Sequence, residues 1–143
     1  MAGSAIRKSL WVNHRFNEGM LISEDLDWSY RIKKKGHAVL YAKDSVVEHH
    51  HTYSMRELYN RHVKEGIDSV KIFSKDGSTI DMFMNEFLYP LAYTMARDIP
   101  VLLKDFGWKH VLTMPVYRLV LFWGRFKGTI RALQRQKQTS SIA

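Results

Sequence analysis

With 143 residues the chain has room for one domain, or for one core with an appended helical segment, and its 45% hydrophobic and 13% aromatic content argues against disorder. It has no cysteine, which excludes disulfide stapling, thiolate nucleophiles and cysteine-based zinc sites. A formal charge of +8 points to an anionic partner such as nucleic acid, acidic lipid or a phosphorylated small molecule. The charge is uneven: the acids lie between residues 18 and 105, and none occurs from Phe106 onward.

The N-terminal "MAGSAIRKSLWVNH" lacks the apolar core of a signal peptide, so a cytoplasmic setting is expected. "SAIRKSLWV" reads as a short strand running into a helical turn, and "NHRFNEGM" as a loop. Ser23 is positioned as an N-cap with Glu24, Asp25 and Asp27 in the first helical turn, and Gly36 as the left-handed stop. Two β-prone runs follow, residues 38–42 and 46–49. "SMRELYNRHVKEG" then carries a Ser54–Glu57 capping box and ends at Gly66. Residues 67–78 fit no single pattern until the turn "KDGS". From Thr79 the chain reads as helical, interrupted or kinked at Pro90, Pro100 and Pro115.

The last helix places Leu119, Phe122, Trp123, Phe126, Ile130 and Leu133 in one apolar stripe, with basic residues beside it. Trp123, Arg125, Lys127, Arg131 and Arg135 are the candidates for contact with an anionic membrane surface, which implies peripheral attachment. The alternative is that the stripe packs on the chain's own helices 79–113. The two most apolar regions, 87–103 and 111–126, are broken by Arg97, Asp98, Arg118 and Arg125, so no membrane span is expected.

Two clusters could carry chemistry. On a helix Glu24 and Asp25 point about 100° apart, while Asp27 can pair with Arg31 at i+4, so the acids divide into different roles. A carboxylate aimed into a cleft can act as a general base; one in a first turn can also simply complement the helix dipole. In a strand, His49 and His51 share a face that His50 does not, so at most two of the three imidazoles can serve one metal site.

The stretch "ISEDLDWSYRIKKKGHAVLYAKDSVVEHHHTYSMRELYNRHVKEG" resembles the C-terminal half of the catalytic domain of family 2 glycosyltransferases, particularly rhamnosyltransferase-like members. In those enzymes an E-D-x-D/E-x-x-x-R helix precedes a strand pair ending in V-x-H, and "SAIRKSLW" and "FNEGM" match the segment before it. The likeness runs from about Ser4 to Gly66. It implies a GT-A fold and metal-assisted, inverting transfer of a sugar, with rhamnose suggested by the likeness, from a nucleotide-sugar to a polysaccharide or lipid-linked acceptor. It assigns Asp25 as general base, Glu24 to acceptor positioning, His49 and, less regularly, His51 to the Mg²⁺ or Mn²⁺ on the donor diphosphate, and Asp27 and Arg31 to structural support.

The family's nucleotide-binding βα units and D-x-D motif come before this helix, and no D-x-D stands upstream of "EDLD" here. The expected fold is therefore an α/β fragment, mostly helical: the acceptor-side half of a GT-A domain over residues 1–66, a helical segment over 67–137 and a disordered tail over 138–143. Its expected partners are the nucleotide-sugar, the acceptor, and a missing N-terminal half or another subunit. The competing expectation is a non-catalytic module, either basic and nucleic-acid-binding or a helical interaction protein. Against nucleic acid, the Lys and Arg residues are scattered and no aromatic RNA-binding signature occurs.

Overall fold

The computed structural model describes residues 4–48 and 52–141, which divide into two compact units, Met1–Thr52 and Tyr53–Ala143. The division falls before the Ser54 cap, not at residue 66. The described residues are mostly helical and contain no strand.

The first unit holds α1 (Lys8–Asn13) and α2 (Glu24–Lys34). The segment expected to begin as a strand instead enters α1 from an extended Arg7. Gly36 closes α2 as expected: at φ 84° its N–H bonds the Lys33 carbonyl at 3.0 Å, and the His37 N–H reaches the Ile32 carbonyl at 3.2 Å. Residues 38–42 and 46–48, expected as strands, are neither strand nor helix, and Leu40 and Tyr41 are 88% and 91% exposed. β-Propensity expresses a fit to neighbouring strands, and none is present among the described residues to supply that fit.

The second unit comprises α3 (Met55–Phe73), α4 (Thr79–Phe83), a π-helical turn (Met84–Leu88), α5 (Tyr89–Asp105) and α6 (Trp108–Ser140). The Ser54–Glu57 capping box starts α3 as the sequence predicts. Gly66 does not stop it. The helix continues to Phe73 and ends at Ser74, which takes the left-handed conformation at φ 48°. Gly66 instead lies buried where α3 crosses α6: a Cβ there would stand 2.1 Å from the Arg125 carbonyl oxygen, and one on Gly128 would stand 2.0 Å from the Val63 carbonyl oxygen. The glycines are there because the two backbones touch.

Around that crossing lies a core of Val70, Met82, Phe126, Ala132 and Leu133, extended by Ile67, Phe83, Phe87 and Ile130. Glu86 is buried beside it, accepting from Arg125 Nε at 2.8 Å and from Lys75 Nζ. Pro90 has no N–H to offer the Glu86 carbonyl, and the π turn just before it widens the ladder where that bond is missing. Pro100 and Pro115 do not interrupt their helices, which run through them. α6 reaches Ser140, well into the stretch 138–143 expected to be disordered.

Candidate functional site: the acidic mouth of α2

α2 is positioned by its inner face. Asp27, Trp28 and Ile32 are buried at the i, i+1, i+5 spacing that a helix turns to one side. The indole N–H of Trp28 donates to the His14 carbonyl oxygen, and the Phe16 ring meets the Trp28 ring edge-on at 6.2 Å. Asp27, 5% exposed, accepts from Arg31 Nε at 2.8 Å, and Arg31 Nη2 donates in turn to the Arg15 carbonyl oxygen at 3.0 Å. These contacts lock the helix to the loop after α1, and they commit Asp27 and Arg31 to the fold.

Glu24 and Asp25 stand at the N-terminal mouth. Glu24 is exposed and Asp25 half-buried, with one Asp25 carboxylate oxygen accepting the Leu26 N–H at 2.8 Å. Ser23 sits at the N-cap position but makes no side-chain capping bond. A carboxylate in this position can hold an acceptor hydroxyl by hydrogen bond and receive its proton.

His49 and His51, the metal-ligand candidates, lie outside the described residues. Among the described residues no group of three His, Asp or Glu side chains gathers in a way that could hold a metal ion.

At the other end of α2 is a cluster the sequence reading did not single out. Lys35 Nζ lies 3.2 Å from His14 Nδ1, and the rings of His14 and His37 stand 6.3 Å apart. Loss of solvent and then the charges of Lys35, His37 and Arg31 push the His14 imidazole below its usual value. The available signal was the "KKKGH" run at the helix end, but the partner, His14, comes from an unpatterned loop.

The membrane-surface candidates of α6 differ in their surroundings. Phe122, Phe126 and Leu133 of the apolar stripe are buried in the second unit and Ile130 is half-buried against them, while Leu119 and Trp123 stay exposed at 44% and 39%. Trp123 packs against Phe87 at 5.5 Å and Phe126 at 5.4 Å, with Lys127 Nζ 4.9 Å over its ring. Arg125 is bound to Glu86, while Arg131 and Arg135 are exposed. No helix among the described residues is long and apolar enough to cross a membrane.

No family model, curated protein or solved structure matches the chain.

Proposed function

We propose that this chain is the acceptor-side portion of a family 2, GT-A glycosyltransferase, working with a nucleotide-binding half at the cytoplasmic face of the cell membrane. The observation that carries the reading is the division of labour within "EDLDWSYR". Asp27 and Arg31 pair with each other in holding α2, and Glu24 and Asp25 stand at its N-terminal mouth, where Asp25 also accepts the Leu26 N–H. That division fits the family pattern residue by residue.

In this reading Asp25 takes the proton of the acceptor hydroxyl while the oxygen attacks the anomeric carbon from the face opposite the diphosphate. The new C–O bond forms as the sugar–phosphate bond breaks, the nucleoside diphosphate leaves with the electron pair, and the anomeric configuration inverts. Glu24 orients the acceptor. A divalent cation, Mg²⁺ or Mn²⁺, would neutralise the leaving diphosphate, with His49 and His51 as this chain's contribution to holding it. The unpaired apolar residues of 38–47 support the need for a second half, since a GT-A sheet would give them strands to pair with.

The test is release of nucleoside diphosphate from UDP-, GDP- and dTDP-sugars, with Mg²⁺ or Mn²⁺, by the chain alone and fused behind a nucleotide-binding half from a family 2 enzyme. The chain alone should release none. The fusion should release nucleotide in proportion to acceptor added. Acceptor-independent release, or none from any fusion, counts against the reading.

A further inference from the structure

Between Phe87 and Leu121 not one residue is buried, although this stretch contains the apolar region 87–103 and most of the apolar region 111–126. It folds as a hairpin: α5 runs out to Asp105, Gly107 turns at φ 83°, and α6 runs back. Its large side chains face solvent, with Trp108 65%, Leu112 64% and Phe106 60% exposed, and Tyr93, Leu103 and Val116 similarly open. An apolar surface of this extent is a binding surface.

We propose that the α5–α6 hairpin is a membrane-docking element that lies in the interface of an anionic bilayer. Four observations select lipid as the occupant. First, the hairpin's internal charges are already neutralised. Asp98 binds both Arg97, at 3.1 Å, and Arg118 across the hairpin, so from Ile99 to Tyr117 the only Lys, Arg, Asp or Glu side chains are Lys104, Asp105 and Lys109 at the turn. Second, the exposed aromatics include Tyr89, Tyr93, Tyr117 and Trp108, amphipathic rings suited to the depth of lipid headgroups. Third, the charge is complementary. From Phe106 onward the chain carries seven Lys and Arg and no acid; Arg118 and Arg125 are bound to Asp98 and Glu86, and Lys109, Lys127, Arg131, Arg135 and Lys137 remain to favour anionic headgroups.

Fourth, the half-buried residues of α5 fall on one side, among them Leu91, Thr94, Met95 and Asp98, and the exposed residues fill the wider remaining arc along its whole length, a broader surface than a single docked face. Two copies of a chain at +8 would also repel each other. Beyond the Asp98–Arg118 bridge the arms, residues 99–105 and 108–117, are about 10 and about 15 Å long at 1.5 Å per residue, well short of a hydrocarbon core of about 30 Å, so the hairpin lies along the interface and does not span.

The inference uses only the second unit and does not rest on the transferase reading; flotation involves neither Asp25 nor a nucleotide. The whole chain is floated with vesicles of phosphatidylcholine, alone or with phosphatidylglycerol as a large minor component. The anionic vesicles should carry it, and neutral ones should bind at least about tenfold more weakly. Leu112→Glu should lower binding to anionic vesicles by about tenfold or more, with the far-UV circular dichroism unchanged because Leu112 is exposed. Brominated acyl chains should quench tryptophan emission of the wild type, and Trp108→Phe should remove most of that quenching. Three results would each overturn the proposal. One is absence of the wild type from the floated fraction, another is Leu112→Glu floating as well as wild type, and the third is a lipid-free dimer that Leu112→Glu dissociates.

Discussion

Replacing Gly128 with alanine separates two physical effects of opposite sign. Gly128 lies inside α6, where helix propensity alone favours alanine by about 1 kcal/mol. The structure opposes this: the new Cβ would sit 2.0 Å from the Val63 carbonyl oxygen and 2.9 Å from its carbonyl carbon. Both are backbone atoms of α3, so no rotamer change relieves the clash, and the helices must part by about 1 Å. A gap of that size forfeits roughly a quarter to a half of each dispersion contact across it, and those contacts include Val63, Val70, Phe126 and Thr129. Overpacking of this kind costs about 3 kcal/mol, leaving a net loss of about 2 kcal/mol and a fall in Tm of roughly 5–10 °C.

Thermal unfolding followed at 222 nm measures it. Gly66→Ala, with its Cβ 2.1 Å from the Arg125 carbonyl oxygen, should behave alike. The double variant should lose less than the sum of the two, because the first substitution has already parted the helices. Gly107→Ala is the control: nothing lies within 4 Å of its Cβ, so only its φ of 83° is penalised, by about 1 kcal/mol. A Gly128→Ala variant as stable as wild type, or more so, would refute the close approach of α3 and α6.

Two further predictions concern charge. Burial raises the Glu65 carboxyl, but the hydrogen bond from His62 and the charges of His62, Arg61 and Arg125 more than reverse this, leaving it below the usual 4.5. Asp98 is likewise depressed, its desolvation outweighed by Arg118 and Arg97. A depressed carboxyl contributes stability that is complete above its unfolded pKa and lost as pH falls through its folded one. Urea midpoints should therefore hold steady down to about pH 5 and decline below about 4.5; a midpoint unchanged at pH 3 would contradict these pairings. Glu86→Gln leaves Lys75 and Arg125 facing a neutral amide beside the core and should cost about 2 kcal/mol, below the roughly 3–5 kcal/mol of a fully buried broken pair because Arg125 is partly exposed. An unchanged urea midpoint would show that the triad contributes nothing net.

What could be read from the residues is what short-range chemistry decides. The Ser54–Glu57 box and the Gly36 stop are closed within a few residues, and both form where the sequence puts them. Gly66 shows the limit. A glycine that ends a helix and a glycine that lets another helix touch it look alike, and the residues that distinguish them, Arg125, Gly128 and Thr129, lie some sixty positions away. The runs at 38–42 and 46–48 fail as strands for a related reason, because a strand is completed by a neighbour. The stripe of α6 was legible as an amphipathic face, but periodicity does not say what covers a face. Its Phe122, Phe126 and Leu133 are covered by the second unit's own helices, while Leu119 and Trp123 stay exposed toward the open hairpin before them. At the candidate site, the Asp27–Arg31 pair follows from i, i+4 spacing, while the tie of Trp28 to His14 joins a helix to a loop with no repeating pattern.

The proposed role of Asp25 as the base that takes the acceptor's proton is open to one direct test. The direct measurement compares nucleoside diphosphate release by the fused enzyme and its Asp25→Asn counterpart at saturating donor. Asparagine keeps the shape and the hydrogen bond to the Leu26 N–H but cannot accept a proton, so turnover should fall at least about a hundredfold with nucleotide affinity unchanged. Equal turnover in the two proteins would rule out Asp25 as the base.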